Sequence, residues 1–223
     1  MSTKLLLQQE LMLLAIRDEA GTFSGGMFLY SIAGGMVSEL LLNERIVAHD
    51  DRSQTVAVVN DASTGDLLLD ELLLLIAKSK KNRGLQHWVY QCVNLARLKH
   101  RIAEQLCELG ALKQDEKKVL WLFTQRVYPE LDGTWEISIR NRMAKIMFHE
   151  GVEPDSSTAI LIALAKHSGL LAANFSKEEL RKHKQRIDEL ATGEILANQA
   201  TKDAITAVQT AVMVATMMPI MTN

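Results

Sequence analysis

Between Lys78 and Arg101 the chain carries seven cations, Lys78, Lys80, Lys81, Arg83, Arg97, Lys99 and Arg101, and no carboxylate. The residues before this segment carry four cations against eleven carboxylates, and the whole chain stands at −2. A mildly acidic protein with one wholly basic segment offers a local anion site. Guanidinium forks match phosphate oxygens two at a time, and Arg97 and Arg101 share one helix face at i,i+4. Lys78 to Arg83 follow directly on an apolar run, where the helix macrodipole alone favours lysine. The chemistry legible here is therefore contact with phosphate-like groups, centred on Arg97, Lys99 and Arg101.

Bond-breaking chemistry leaves no comparable signal. No HExxH, GxSxG, Walker or Rossmann pattern occurs. The six histidines, His49, His87, His100, His149, His167 and His183, have no close ligand spacing, so no metal and no cofactor are expected. Asp50 with Asp51, and Asp70 with Glu71, are adjacent acids, and adjacent residues on a helix do not face each other. Cys92 and Cys107 make no disulfide framework, which fits a reducing compartment. Net charge −2 without a strongly basic recognition helix argues against nucleic acid as a partner. The expected protein is no enzyme and cytoplasmic.

The elements that must hold these residues read as mainly α. Hydrophobic residues make up 48 % of the 223, ample for a core, and three prolines divide nothing. Residues 1–223 are thus expected to form a single compact multi-helix domain with short β-hairpins, one of them projecting. Helical patterns run over 5–18, 28–42, 85–94, 95–109, 135–149, 157–167, 177–190 and 194–218. Gly34 and Gly35 sit inside the second, where they would let another backbone approach closely. "RIVAHD" and "TVAVVN" around "DRSQ" read as a hairpin, and "VLWLFTQRVYPELDG" as a second one. The run "STGDLLLDELLLLIAKSKK" is too short to span a membrane, which takes about 20 apolar residues. Ser63 and Asp66 resemble a capping box. Leu67, Leu68, Leu69, Leu72, Leu73, Leu75 and Ile76 cover most of the cylinder, leaving a strip of Asp70, Glu71 and Lys78. That predicts a helix in the middle of a bundle.

Five stretches, "LLLQQELMLLAIRDEAG", "SIAGGMVSELLLNERI", "STGDLLLDELLLLI", "RLKHRIAEQLCELGAL" and "STAILIALAKHSGLL", together resemble the Golgi phosphoprotein 3 family, in the family's order over 5–214. The resemblance implies a mostly helical, non-enzymatic domain with a projecting hairpin at "VLWLFTQRVYPELD". In Golgi members this domain binds phosphatidylinositol 4-phosphate and the cytoplasmic tails of glycosyltransferases.

The resemblance also implies where the lipid site lies. The family tryptophan before the second helix falls on Ser24, beside Phe23. A family arginine falls on Ala33, and a pair of arginines falls on Ala96 and Lys99. One basic position is retained, with Arg97 and Arg101 flanking it. The departures fit a prokaryotic relative. The expected lipid-binding residues are thus Arg97, Lys99, Arg101, Phe23 and Ser24, with Met27 and Phe28 approaching the bilayer. Weak binding to an anionic membrane lipid follows, or alternatively a soluble protein-binding scaffold without lipid. Trp121, Phe123 and Tyr128 on an exposed arm would form the contact of a homo-oligomer.

Overall fold

Gly34 and Gly35 interrupt an apolar stretch, and a neighbouring helix does approach there. The computed structural model describes residues 4–17, 22–23, 28–49, 51, 53–119, 123–196, 201–202, 204–206, 208–209 and 213. Helix α1 (Leu7–Ala15) lies against α2 (Phe28–Leu42). A Cβ on Gly35 would stand 3.0 Å from Leu11 Cδ1 and 3.3 Å from the Gln8 backbone nitrogen. Glycine at 35 sets the distance between the two helices.

All nine residues of α1 are buried, Gln8, Gln9 and Glu10 included. The helix packs on α2, α5 (Leu98–Glu108), α6 (Thr134–Phe148), α7 (Ser156–His167) and α8 (Leu170–Asn174). Gln9 and Glu10 are met by distant partners, whereas the buried side-chain amide of Gln8 has none among the described residues. Glu39 accepts from the Leu7 amide at 2.8 Å, and Gln9 donates to Gln105. Glu10 is paired with Arg142, whose other guanidinium nitrogen donates to Thr158 Oγ1 at 2.5 Å. The centre of the bundle is α1.

Helix α3 (Leu67–Ala77) departs from the sequence expectation. Leu68, Leu69, Leu72, Leu73 and Ile76 are buried, but Leu67 is 78 %, Leu74 50 % and Leu75 40 % exposed. The helix therefore lies on the surface with one face inward. A run of leucines fills every angular phase, so periodicity alone could not orient it. The start also differs. Asp66 is itself the N-cap and accepts from the amides of Leu68 and Leu69 at 3.0 and 2.9 Å. Ser63 and Thr64 donate instead to the carboxylate of Asp70. Gln105 of α5 donates to the second Asp66 oxygen at 2.7 Å. Asp66→Ala is expected to destabilise the protein by about 1–2 kcal/mol, the usual worth of a cap, read as a lower urea midpoint.

The remaining helices are α4 (Leu85–Val93), α9 (Lys177–Lys182) and α10 (Lys184–Thr192). The last two replace the single helix expected over 177–190. The break is at His183, whose backbone leaves helical values. Residues 201–202, 204–206, 208–209 and 213 are helical, and the rest of the pattern expected over 194–218 beyond residue 196 lies outside the described residues. Three antiparallel two-stranded ribbons complete the described fold. Strands β1 (Ile16–Arg17) and β2 (Thr22–Phe23) end the first helix earlier than expected. Strands β3 (Ile46–Ala48) and β4 (Val56–Val58) form the hairpin read around "DRSQ". Strands β5 (Asp115–Val119) and β6 (Phe123–Val127) form the second, starting earlier than "VLWLF".

That second hairpin corrects one expectation. Tyr128 is fully buried at its base, with its hydroxyl 2.9 Å from His100 Nδ1. It anchors the arm to α5 and is closed to a second copy. Trp121 and the side chain of Phe123 lie outside the described residues. Among the described residues no helix is long and apolar enough to cross a membrane.

Candidate functional site

Arg97 adopts a left-handed backbone (φ 57°, ψ 25°) immediately before α5. This conformation is uncommon for a residue with a Cβ. It turns the chain sharply between Leu95, buried, and Leu98, also buried. The two leucines anchor the turn, and Arg97 is left on the outside. The first turn of α5 then presents Lys99 and Arg101 and holds no acidic residue. The positive end of the helix dipole adds partial charge at the same place.

Two carboxylates balance part of this charge. Arg97 Nη2 lies 2.6 Å from Glu104 Oε1, and Arg101 Nη1 lies 2.6 Å from Glu71 Oε2. Arg126, from β6, approaches the same Glu104 oxygen at 3.9 Å. Three guanidinium groups thus share two acids. His100 stands among these charges. Burial holds its imidazole below the ordinary value, and Lys99, Arg97 and Arg126 push it further down.

The sequence-expected residues separate into three groups. Arg97, Lys99 and Arg101 are brought together on one turn. Phe28 is buried at the start of α2, so it cannot reach a bilayer; the pull of the core on this aromatic decides its position. Phe23 pairs through its backbone with Ile16, but its side chain, and all of Ser24 and Met27, lie outside the described residues. Ala33 is fully buried and Ala96 exposed. Arg126, Glu104 and Glu71 join the site from outside the expected set. Arg97 and Glu104 stand seven apart, a helical spacing visible in the sequence. Glu71 and Arg126 come from other elements and left no local signal.

Among the described residues no three His, Cys, Asp or Glu side chains gather as a metal site. What the geometry defines is a helical domain with a cationic turn on its surface. Comparison with known proteins gives its kinship. The model of the Golgi phosphoprotein 3 (GPP34) family matches residues 7–208. The chain belongs to that family. It is 27 % identical over 169 residues to vacuolar protein sorting-associated protein 74 of Eremothecium gossypii, covering 67 % of this chain and 51 % of that protein. It is 25 % identical over 178 residues to the protein of the same name from Schizosaccharomyces pombe, covering 69 % and 51 %. The chain spans about half the length of these curated relatives.

Proposed function

We propose that this protein is a non-enzymatic peripheral membrane adaptor that binds anionic lipid headgroups at the α5 turn. The observation that carries the reading is the cationic cluster of Arg97, Lys99, Arg101 and Arg126 at a helix N-terminus. Family membership and the sorting-associated relatives support it. Phosphate would have to compete with Glu104 and Glu71 for the guanidinium groups, so binding is weak and poorly selective among anionic headgroups. A phosphatidylinositol 4-phosphate-like headgroup is accommodated on the same terms as any other phosphate. We place the protein in the cytoplasm, at the membrane face.

The experiment is flotation with vesicles of phosphatidylcholine alone or mixed with phosphatidylserine or phosphatidylinositol 4-phosphate. The wild type should float with both anionic mixtures. Arg97→Ala/Lys99→Ala/Arg101→Ala should abolish this. Raising salt should weaken it, because exposed charges are screened over about 10 Å at 0.1 M. Absence of binding to every vesicle would favour the second reading, a soluble protein-binding scaffold, for which the existing Arg97–Glu104 and Arg101–Glu71 pairs speak.

A further inference from the structure

On α3, Leu67, Glu71, Leu74 and Lys78 follow one another at spacings of four, three and four, and so lie along one line of the helix. Leu75 flanks that line. The three leucines are 78 %, 50 % and 40 % exposed, and Lys78 is exposed at the helix end. Glu71, between Leu67 and Leu74, is the residue that holds Arg101. The leucine ridge therefore borders the cationic turn of α5 directly.

We propose that the outer face of α3 is a membrane-docking surface, its leucines entering the boundary of an anionic bilayer while Arg101, Lys78, Lys80 and Lys81 meet headgroups at its rim. This rests on the lipid reading above and adds to it an apolar contact outside the α5 turn.

The charge around the ridge suits a bilayer. Lys80 and Lys81 follow Lys78 on the exposed chain. The acids on the helix are engaged, Glu71 by Arg101 and Asp70 by Ser63 and Thr64. Exposed Asp61, in the loop beside Leu73 and Leu74, remains as a counter-charge on the other flank. Apolar side chains on one helix face with lysines at its edge are the pattern of interfacial helices.

The same face suits a protein partner poorly. An eleven-residue helix is about 16 Å long, whereas a stable interface takes about 800 Å² from each partner. Protein hot spots favour Trp, Tyr and Arg, and leucine is under-represented in them. A bilayer demands no complementary shape, and partial burial of three leucines suffices to add to weak electrostatic attraction.

Leu67→Ser/Leu74→Ser tests the surface, since both side chains point outward and the variant should melt as the wild type does. Its partition onto phosphatidylcholine–phosphatidylserine vesicles should fall by about tenfold or more. A fluorophore sensitive to polarity on Leu74→Cys, in a Cys107→Ser background, should shift to the blue with those vesicles and stay unchanged without them. Unaltered flotation of the serine variant together with an unshifted fluorophore would overturn the proposal. If the arginine-turn variant alone loses binding, the ridge is wrong and the lipid reading stands. If the wild type floats with no vesicle, both fall. If the serine variant instead converts an oligomer to a monomer with flotation unchanged, the ridge is a contact between copies and the proposal fails.

Discussion

Leu72→Ala is expected to lower the unfolding free energy by about 2–5 kcal/mol, as removal of a buried leucine leaves a cavity the core cannot fully close. Leu72 is 0 % exposed. It stands on the inner side of a helix whose outer side carries leucines of nearly the same chemistry. The comparison is therefore internal. Leu67→Ala, on the same helix, should change stability by less than about 0.5 kcal/mol, the usual range for surface substitutions. Urea unfolding of the two variants side by side reads the difference. Equal effects would mean that α3 is buried all round after all.

The second large effect is expected at Arg142. Burial pushes the Glu10 carboxyl above its ordinary value, and the Arg142 guanidinium draws it back down. Arg142→Met would leave Glu10 in the core without its counter-charge. Breaking such a pair costs about 3–5 kcal/mol when both partners are buried. Arg142 is 34 % exposed at its side chain, so about 3 kcal/mol is the appropriate figure. The pH dependence has a definite sign. A carboxyl whose folded pKa is raised binds its proton more tightly in the native state than in the unfolded one. Its stabilising share is complete below the unfolded value and is lost as pH rises through the folded value. Glu10 in the variant is raised further still. The deficit against wild type should thus be greatest near neutral pH and shrink towards pH 4.5, the ordinary value for this group. Glu10→Gln added to Arg142→Met should recover part of the loss at neutral pH. Denaturation of the three proteins across that range makes the check, and a deficit independent of pH would count against an unpaired carboxylate as its cause.

Much of this architecture was legible in the residues. Gly34 and Gly35 announced a close helix approach, and Gly35 makes it. The β-branched and aromatic residues of 45–60 and 119–133 announced hairpins, because side chains branched at Cβ favour extended backbone, while the charged start of β5 at 115–118 gave no such signal. The i,i+4 spacing of Arg97 and Arg101 suggested a shared helix face, but Arg97 lies just before α5 in a left-handed conformation, and the two arginines pair with different acids. What stayed hidden depended on residues far apart in sequence. Tyr128 reads as one more aromatic on an arm until His100 is seen beneath it. The leucines of α3 cannot be sorted into inner and outer by pattern. The partners of the cations, Glu71 and Glu104, decide how available the phosphate site is, and Glu71 reaches Arg101 only through the packing of α3 near α5. The helix read as central turned out peripheral, and α1, with two glutamines and a glutamate in a row, took its place. Polar residues in its sequence concealed its burial, since its one charge, Glu10, is met by Arg142, which is far away in sequence.

The position of α1 also governs the order in which the protein can assemble on the ribosome. Its neighbours include α7 and α8, and Asn174 of α8 donates to the carbonyl of Leu14. Helix α1 therefore cannot be fully enclosed until α7 and α8 have emerged. At synthesis rates of about 5–20 residues per second, that interval is roughly 8–30 s. Through it, the side of α1 that packs on α7 and α8 remains uncovered on the nascent chain, a sticky handle for chaperones and for neighbouring chains alike. Native topology thus imposes a window of vulnerability that a bundle closed by sequential neighbours would not have.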